Sequence, residues 1–211
     1  MLFKDRTDAG QKLSSALKKY KGAQQTIVLG LPRGGVVVAY EVAVQLHLPL
    51  DILIPRKLGA PHNPELAIGA IAEEGIFLDQ EVIADLGVSE TYIAEQIAKE
   101  KKEAKRRLSL FRKNRPFPNL VGWTALVVDD GLATGSTMQA SIQALKKMRS
   151  GKIVVAVPIG PPDTIEALKK EVAEVVCLYT PSSFMAVGQF YDIFPQTSDT
   201  EVIQLLQHAW K

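Results

Sequence analysis

Ala125-Leu126-Val127-Val128-Asp129-Asp130-Gly131-Leu132-Ala133-Thr134-Gly135-Ser136-Thr137-Met138 is the stretch on which the reading of the fold turns. A short apolar run, of a length suited to a buried strand, ends in two carboxylates. A loop of small and hydroxyl-bearing residues follows, and a helical pattern opens at Ser136. In an open parallel sheet such a loop lies at the carboxyl ends of the strands, where ligands bind. The helix start offers unpaired backbone N–H groups and the positive end of the helix dipole, Thr134, Ser136 and Thr137 add hydroxyls, and Gly135 allows close backbone approach. That assembly suits a phosphate monoester. It is not the nucleoside-triphosphate P-loop, because no lysine precedes the Ser-Thr pair. Asp129 and Asp130 make sense beside a phosphate if the phosphate is carried on a sugar whose hydroxyls donate to them. They would also favour the positive charge that develops on a ribose ring as its C1 substituent departs.

Outward from this segment, strand-sized apolar runs alternate with helical patterns. Residues 8–20 carry Leu13, Ala16, Leu17 and Tyr20 at helical spacing. Thr26 to Leu29, closed by Gly30, reads as a strand. Ala39, Val42, Ala43 and Leu46 mark a helix, and Leu50 to Ile54 a second strand. The three prolines and the glycine of 55–64 predict an irregular loop. Ala67 to Ala72 and Ile76 to Leu78, joined through Glu73-Glu74-Gly75, predict a hairpin, and Ser89 to Lys113 a long polar helix. A helix over 136–148, a strand over 153–157, a capping box at Asp163-Thr164-Ile165-Glu166 and a strand over 175–178 follow. Ser198 is expected to cap a last helix. The fold class is α/β: a mostly parallel sheet covered on both faces by helices.

The chain has 211 residues, 46% of them hydrophobic and 23% charged, which suits one α/β domain and is too short for two ordinary enzyme domains. The net charge of +2 gives no global argument for nucleic acid. Cys177 is the lone cysteine, within an apolar run, so neither an internal disulfide nor a cysteine-based metal site is expected. No secretory signal opens the chain and no apolar run is membrane-length, which predicts a cytoplasmic protein without a membrane partner. The histidines and acids show no zinc spacing. Lys99, Lys101, Lys102, Lys105, Arg106 and Arg107 interleave with acids, as in the i,i+4 pair Glu103 and Arg107. This predicts a solvated helix face rather than a nucleic-acid surface.

The segment Val127 to Thr137 resembles the phosphoribosyl pyrophosphate motif of the type I phosphoribosyltransferases: an apolar strand, two acids, and a short loop ending Thr-Gly-x-Thr. The resemblance implies that Ala133, Thr134, Gly135, Ser136 and Thr137 hold the 5-phosphate and that Asp129 and Asp130 hold the ribose. Leu31-Pro32-Arg33-Gly34-Gly35 stands where that family has its pyrophosphate loop, with Arg33 and Gly34 at the leaving group and a strained or cis peptide expected at Arg33-Gly34. Arg56 and Lys57 stand where adenine and orotate members have a basic pair that meets pyrophosphate. The segment after them takes the place of a mobile lid, in which His62 could act on the leaving group or the incoming nucleophile or, as a loop histidine more often does, simply be solvated. Ala133 replaces the acid usual in enzymes acting on 6-oxopurines, which argues against hypoxanthine or guanine. The helix over 89–113 has no counterpart in the compact purine enzymes and resembles a bacterial group without a settled substrate.

The resemblance covers a core of about residues 26–180, with lid and helical insertion over about 57–115 and a C-terminal hood over about 181–211. Phe184, Phe190 or Tyr191 could stack on an acceptor ring there and Asp192 could accept from its amino group. Packing of the C-terminal segment explains the same aromatics equally well. The expected activity is Mg²⁺-dependent transfer of a phosphoribosyl group from phosphoribosyl pyrophosphate to a nitrogenous acceptor, Mg²⁺ being held mainly through the substrate. A non-catalytic sensor of the same ligand is the alternative. The resemblance leaves a homodimer open.

Overall fold

The structure, a computed structural model, describes residues 2–72, 75–113 and 115–211. In chain order the elements are α1 (Arg6–Ala16), β1 (Thr26–Gly30), α2 (Gly34–Leu46), β2 (Leu50–Ile52), β3 (Arg56–Ala60), β4 (Asn63–Ala72), β5 (Gly75–Leu78), α3 (Gln80–Asp85) and α4 (Glu90–Arg112). They continue with β6 (Thr124–Val128), α5 (Ser136–Lys147), β7 (Lys152–Ile159), α6 (Pro162–Lys169), β8 (Glu174–Tyr179) and α7 (Asp199–Ala209).

Five strands form a wholly parallel sheet in the order β2-β1-β6-β7-β8. Its strands β1, β2, β6 and β7 are mostly apolar and buried because both faces are covered, while the edge strand β8 is only half-buried. Val28, Leu126 and Val154 stand in register and face α2 and α7 through Val42, Leu46, Val202 and Leu206. Their neighbours Leu29, Val127 and Val155 face α5 and α6 through Met138, Ile142, Ile165 and Leu168. Strand order reverses between β1 and β6, so the loops that leave these two strands border one crevice, the place where open α/β sheets bind ligands.

The remaining strands form a separate antiparallel sheet, β3-β4-β5. Leu58, Ile68 and Ile71 pack there against Ile93 of α4. This corrects the loop expected over 55–64: the segment is mostly a hairpin turning at Pro61 and His62. Its prolines avoid the ladder. Gly59 pairs with Ala67 and Ala60 with Asn63, so Pro64 falls in the irregularity between them, where no N–H is required. Gly59 is needed at that point, since a Cβ would lie 2.8 Å from the Pro64 carbonyl oxygen. The β4–β5 hairpin forms as expected; Glu73 and Glu74, expected to join it, lie outside the described residues.

Two further corrections concern helix starts. Asp163 is not a cap: Pro161 occupies that position with Pro162 beginning α6, because proline suits the first turn and sets the start two residues early. α3, unassigned from the sequence, has 6 residues and is too short for a periodic pattern; its Val82 and Ile83 pack half-buried against the cluster of the second sheet. Ser89 and Ser198 do cap α4 and α7, accepting from Tyr92 N at 3.3 Å and Glu201 N at 3.1 Å. The C-terminal end of α4 is pinned to the main sheet, where Arg112 donates to Asp51 Oδ1 at 2.9 Å with both side chains almost wholly buried.

Candidate functional site

Asp129 and Asp130 leave the carboxyl end of the central strand β6. Asp129 Oδ1 accepts the backbone N–H of Asp130 at 2.9 Å, which turns the chain away from the sheet. Leu132 N then donates to Ile159 O of β7 at 2.8 Å, fixing the loop at its midpoint. Gly135 precedes α5 at φ +75°, a left-handed conformation that favours glycine. The N-cap residue Gly135 offers no side chain to the N–H groups of α5, and Ser136 N alone reaches a side chain there, the Thr134 hydroxyl at 3.5 Å, which leaves most of this helix start ready for an anion. The Thr134 and Ser136 hydroxyls lie 3.1 Å apart. Thr164 of α6 braces the loop from outside, donating to Ala133 O at 3.3 Å. Asp129, the run from Gly131 to Met138 and Val187 together line a cleft of about 190 Å³.

The loop after β1 meets this one face to face. Leu31 N donates to Val128 O at 3.0 Å. A Cβ on Gly35 would stand 2.6 Å from Asp129 Oδ1, and one on Gly34 would run into the Asp130 carboxylate. Two sequence segments almost a hundred residues apart therefore share a single wall. The cis peptide falls at Pro32-Arg33, one bond before the Arg33-Gly34 position expected.

Asp130 is held from two further sides. Arg6 of α1 donates from Nε to Asp130 Oδ2 at 2.7 Å and from Nη1 to Pro195 O at 2.7 Å, with its guanidinium 3.8 Å from the centre of the Phe194 ring. Tyr191 donates its hydroxyl to Asp130 O at 2.6 Å. Removal from water, then the neighbouring Asp130 charge, raises the Asp129 carboxyl well above the usual carboxylate range. The paired acids thus form a site that favours a positive or hydroxyl-rich group arriving from solvent.

The other expected residues divide. Arg33 reaches the surface near Asp199 at 3.7 Å. Arg56 is paired with Glu100 of α4 at 2.6 Å rather than extended into the β6 loop, and Lys57 follows it in β3. His62 sits exposed in the turn of the hairpin. In the hood, Phe184 stacks on Phe190 at 5.6 Å, and Asp192 is exposed and tied through its backbone to Phe3 O. Tyr191 corrects the reading as a base-stacking ring: it is 2% exposed, enclosed by Phe3 and Phe194. Sequence reasoning missed Arg6, whose partner lies 124 positions away, and Val187, which reaches the cleft from the hood. The basic residues Lys99 to Arg107 of α4 lie on an exposed face, as expected, with the Arg106 side chain 61% exposed. Arg106 and Arg107 do pair with Glu103, but they also line a cleft with Pro32 and Arg33.

Among the described residues no helix is long and apolar enough to cross a membrane, and none form a cluster of three or more metal-binding side chains.

Known proteins resemble this chain at every level compared. A family profile described as phosphoribosyl transferase domain matches residues 4–192. Proteins from two strains of Mycobacterium tuberculosis, provisionally named phosphoribosyl transferases, are 46% identical over 209 residues, 99% of this chain. The chain spans about half of their length, 47%. The crystal structure of TT1426 from Thermus thermophilus matches with a TM-score of 0.90 and 38% identity, over 99% of both chains. A hypoxanthine-guanine phosphoribosyltransferase of Bacillus anthracis, 10% identical, shares the fold at a TM-score of 0.50, over 84% of this chain and 79% of its own.

Proposed function

The chain belongs to the phosphoribosyl transferase domain family, and from that premise we propose that it transfers the 5-phosphoribosyl group of phosphoribosyl pyrophosphate to a nitrogen nucleophile. The observation that carries the proposal is the packing of Gly34 and Gly35 against Asp130 and Asp129, which puts an anion-accepting loop beside the two acids and the uncapped helix start of α5.

In this reading the 5-phosphate lies on the N–H groups and hydroxyls of Thr134 to Thr137. Asp129 and Asp130 accept from the ribose hydroxyls, and the C1 diphosphate extends toward Arg33 and Gly34. As the acceptor nitrogen forms its bond to C1, the C1–O bond breaks and its electron pair leaves with the diphosphate. The acceptor nitrogen then loses its proton to solvent. The acids stabilise the cationic ring of the transition state, and Arg33 the developing charge on the leaving group. Bound with the substrate, Mg²⁺ supplies charge neutralisation at the diphosphate, the carboxylates at hand being Asp129 and Asp130. These hard oxygen donors fit an ion that keeps several waters and takes only one or two protein ligands.

Ala133, in place of an acid, supports an acceptor without the 6-oxo group of hypoxanthine or guanine. A second reading, a sensor that binds phosphoribosyl pyrophosphate without turnover, is favoured by the capture of Arg56 by Glu100. Pyrophosphate release, followed across a panel of nitrogenous acceptors, separates the two. Release with at least one acceptor, abolished in D129N/D130N, supports transfer; binding without release from any acceptor supports sensing.

A further inference from the structure

The direction from which an acceptor must come follows from the sheet order. β6 lies between β1 and β7, and the loop after β1, toward which the diphosphate departs, closes one side of the acids. A nucleophile that displaces the diphosphate in line reaches C1 from the opposite side, that of β7. There Val187 of the hood packs with Ile159, the last residue of β7, beside Gly131. A Cβ on Gly131 would lie 2.5 Å from Val187 Cγ1 and 2.9 Å from Ile159 Cγ2, so these two aliphatic side chains already fill that place. Val187 is held there by its own loop. Gln189 Oε1 accepts the N–H groups of Met185 and Ala186 at 3.2 and 3.3 Å, and Gln189 Nε2 donates to Ser183 O at 3.4 Å. This commits the Gln189 amide to the hood itself. Phe190 is engaged by Phe184 at 5.6 Å and, edge-on, by Tyr179 at 6.2 Å. Among the described residues no aromatic ring and no side-chain amide lines the cleft beside Asp129. Its volume of about 190 Å³ is small against the ~300–1,000 Å³ usual for organic ligands, and the sugar phosphate takes up part of it.

We propose that Val187 closes the acceptor side of the cleft to a nucleobase ring and confines the acceptor to a small aliphatic amine, ammonia included. This rests on phosphoribosyl transfer as read above and names the substrate class for it. The amine lone pair forms the bond to C1, the C1–O bond breaks with its electron pair leaving on the diphosphate, and the surplus proton of the new ammonium passes to solvent. A nucleobase needs a flat surface for its ring and polar partners for its edge. The wall beside Gly131 offers it a branched pair of methyl groups instead. A small amine needs neither.

Calorimetric titration of the whole chain with ribose 5-phosphate and with AMP reads the exclusion without turnover. AMP carries a ring on the same sugar phosphate and is expected to bind the wild type about tenfold more weakly than ribose 5-phosphate. V187A is expected to narrow that ratio by a similar factor, as relief of an overpacked contact implies. Pyrophosphate release from phosphoribosyl pyrophosphate is expected with ammonium or ethylamine and not with adenine. AMP bound by the wild type as tightly as ribose 5-phosphate overturns the proposal, and that comparison needs no variant to fold. An unchanged ratio in a folded V187A overturns it as well. So does a kcat/KM with adenine above that with either amine, a result that leaves phosphoribosyl transfer itself standing. Release with no acceptor removes transfer, and with it the amine, whatever the AMP ratio.

Discussion

Arg6 Nε donates to Asp130 Oδ2 across 2.7 Å, tying the first helix of the chain to the acid that follows the central strand. The pair is mostly buried, with side chains 10% and 16% exposed, and Phe194 and Pro195 close over the guanidinium. The orientation of Asp130 toward the crevice therefore depends on a residue far from its own motif.

Replacing Arg6 by alanine leaves Asp130 beside Asp129 without its cation. A loss of about 3 kcal/mol is expected, since breaking one side of a buried pair strands the other charge. Urea unfolding measures it. R6K, which keeps the charge but not the fork, is expected to recover part of the loss, and an R6A protein as stable as wild type would show the pair to be ornamental.

Asp129 gives a pH dependence of defined sign. Its folded-state carboxyl is raised above the ordinary 3.8, so between that value and the raised one the folded chain binds more protons than the unfolded chain. Its contribution to stability is accordingly lost as pH climbs through this window. Unfolding free energies measured from pH 4 to 8 should show a downward component in the wild type that D129N lacks, and D129N should be the more stable protein at pH 7. The same slope in both proteins would contradict the assignment.

Much of this was legible in the residues themselves. The sheet could be read because strands buried on both faces are continuous apolar runs, as in Ala125 to Val128. The turn from β6 into α5 could be read because its acids, glycines and hydroxyl residues are contiguous in sequence. The hairpin over 56–72 could not: Pro55, Pro61 and Pro64 look like breakers unless one knows that each falls before the strand, in the turn, or in a register shift. Arg6 and Val187 were hidden for a different reason. Their roles come only from tertiary packing, across separations that no periodic pattern reports. Asp163 misled because a good capping pattern was overruled by the Pro161-Pro162 pair beside it.

The contact between the two loops leaves no room for a methyl group. An alanine Cβ at Gly35 would lie 2.6 Å from Asp129 Oδ1 and 2.8 Å from the Asp129 Cα. G35A is expected to lose about 1–3 kcal/mol through overpacking, and to bind ribose 5-phosphate at least several times more weakly because the acids are displaced. Thermal unfolding and calorimetry give the two numbers. Unchanged binding would mean that the acids do not meet the sugar.

The Arg112–Asp51 pair, 2.9 Å apart with side chains 4% and 3% exposed, fixes α4 to β2. D51A is expected to cost about 3–5 kcal/mol by leaving the guanidinium buried without this carboxylate. D51A/R112M, which removes both charges, should regain most of that stability, and denaturant titration of the three proteins provides the comparison.

Calorimetric titration with phosphoribosyl pyrophosphate and Mg²⁺ bears most directly on the central claim, that the β6–α5 loop and its two acids hold a phosphorylated ribose. One molecule bound per chain below millimolar concentration is predicted, with binding lost in D129N/D130N and weakened about tenfold by T137A, which removes one phosphate donor. Absence of any heat at millimolar ligand, or undiminished binding in D129N/D130N, would contradict it.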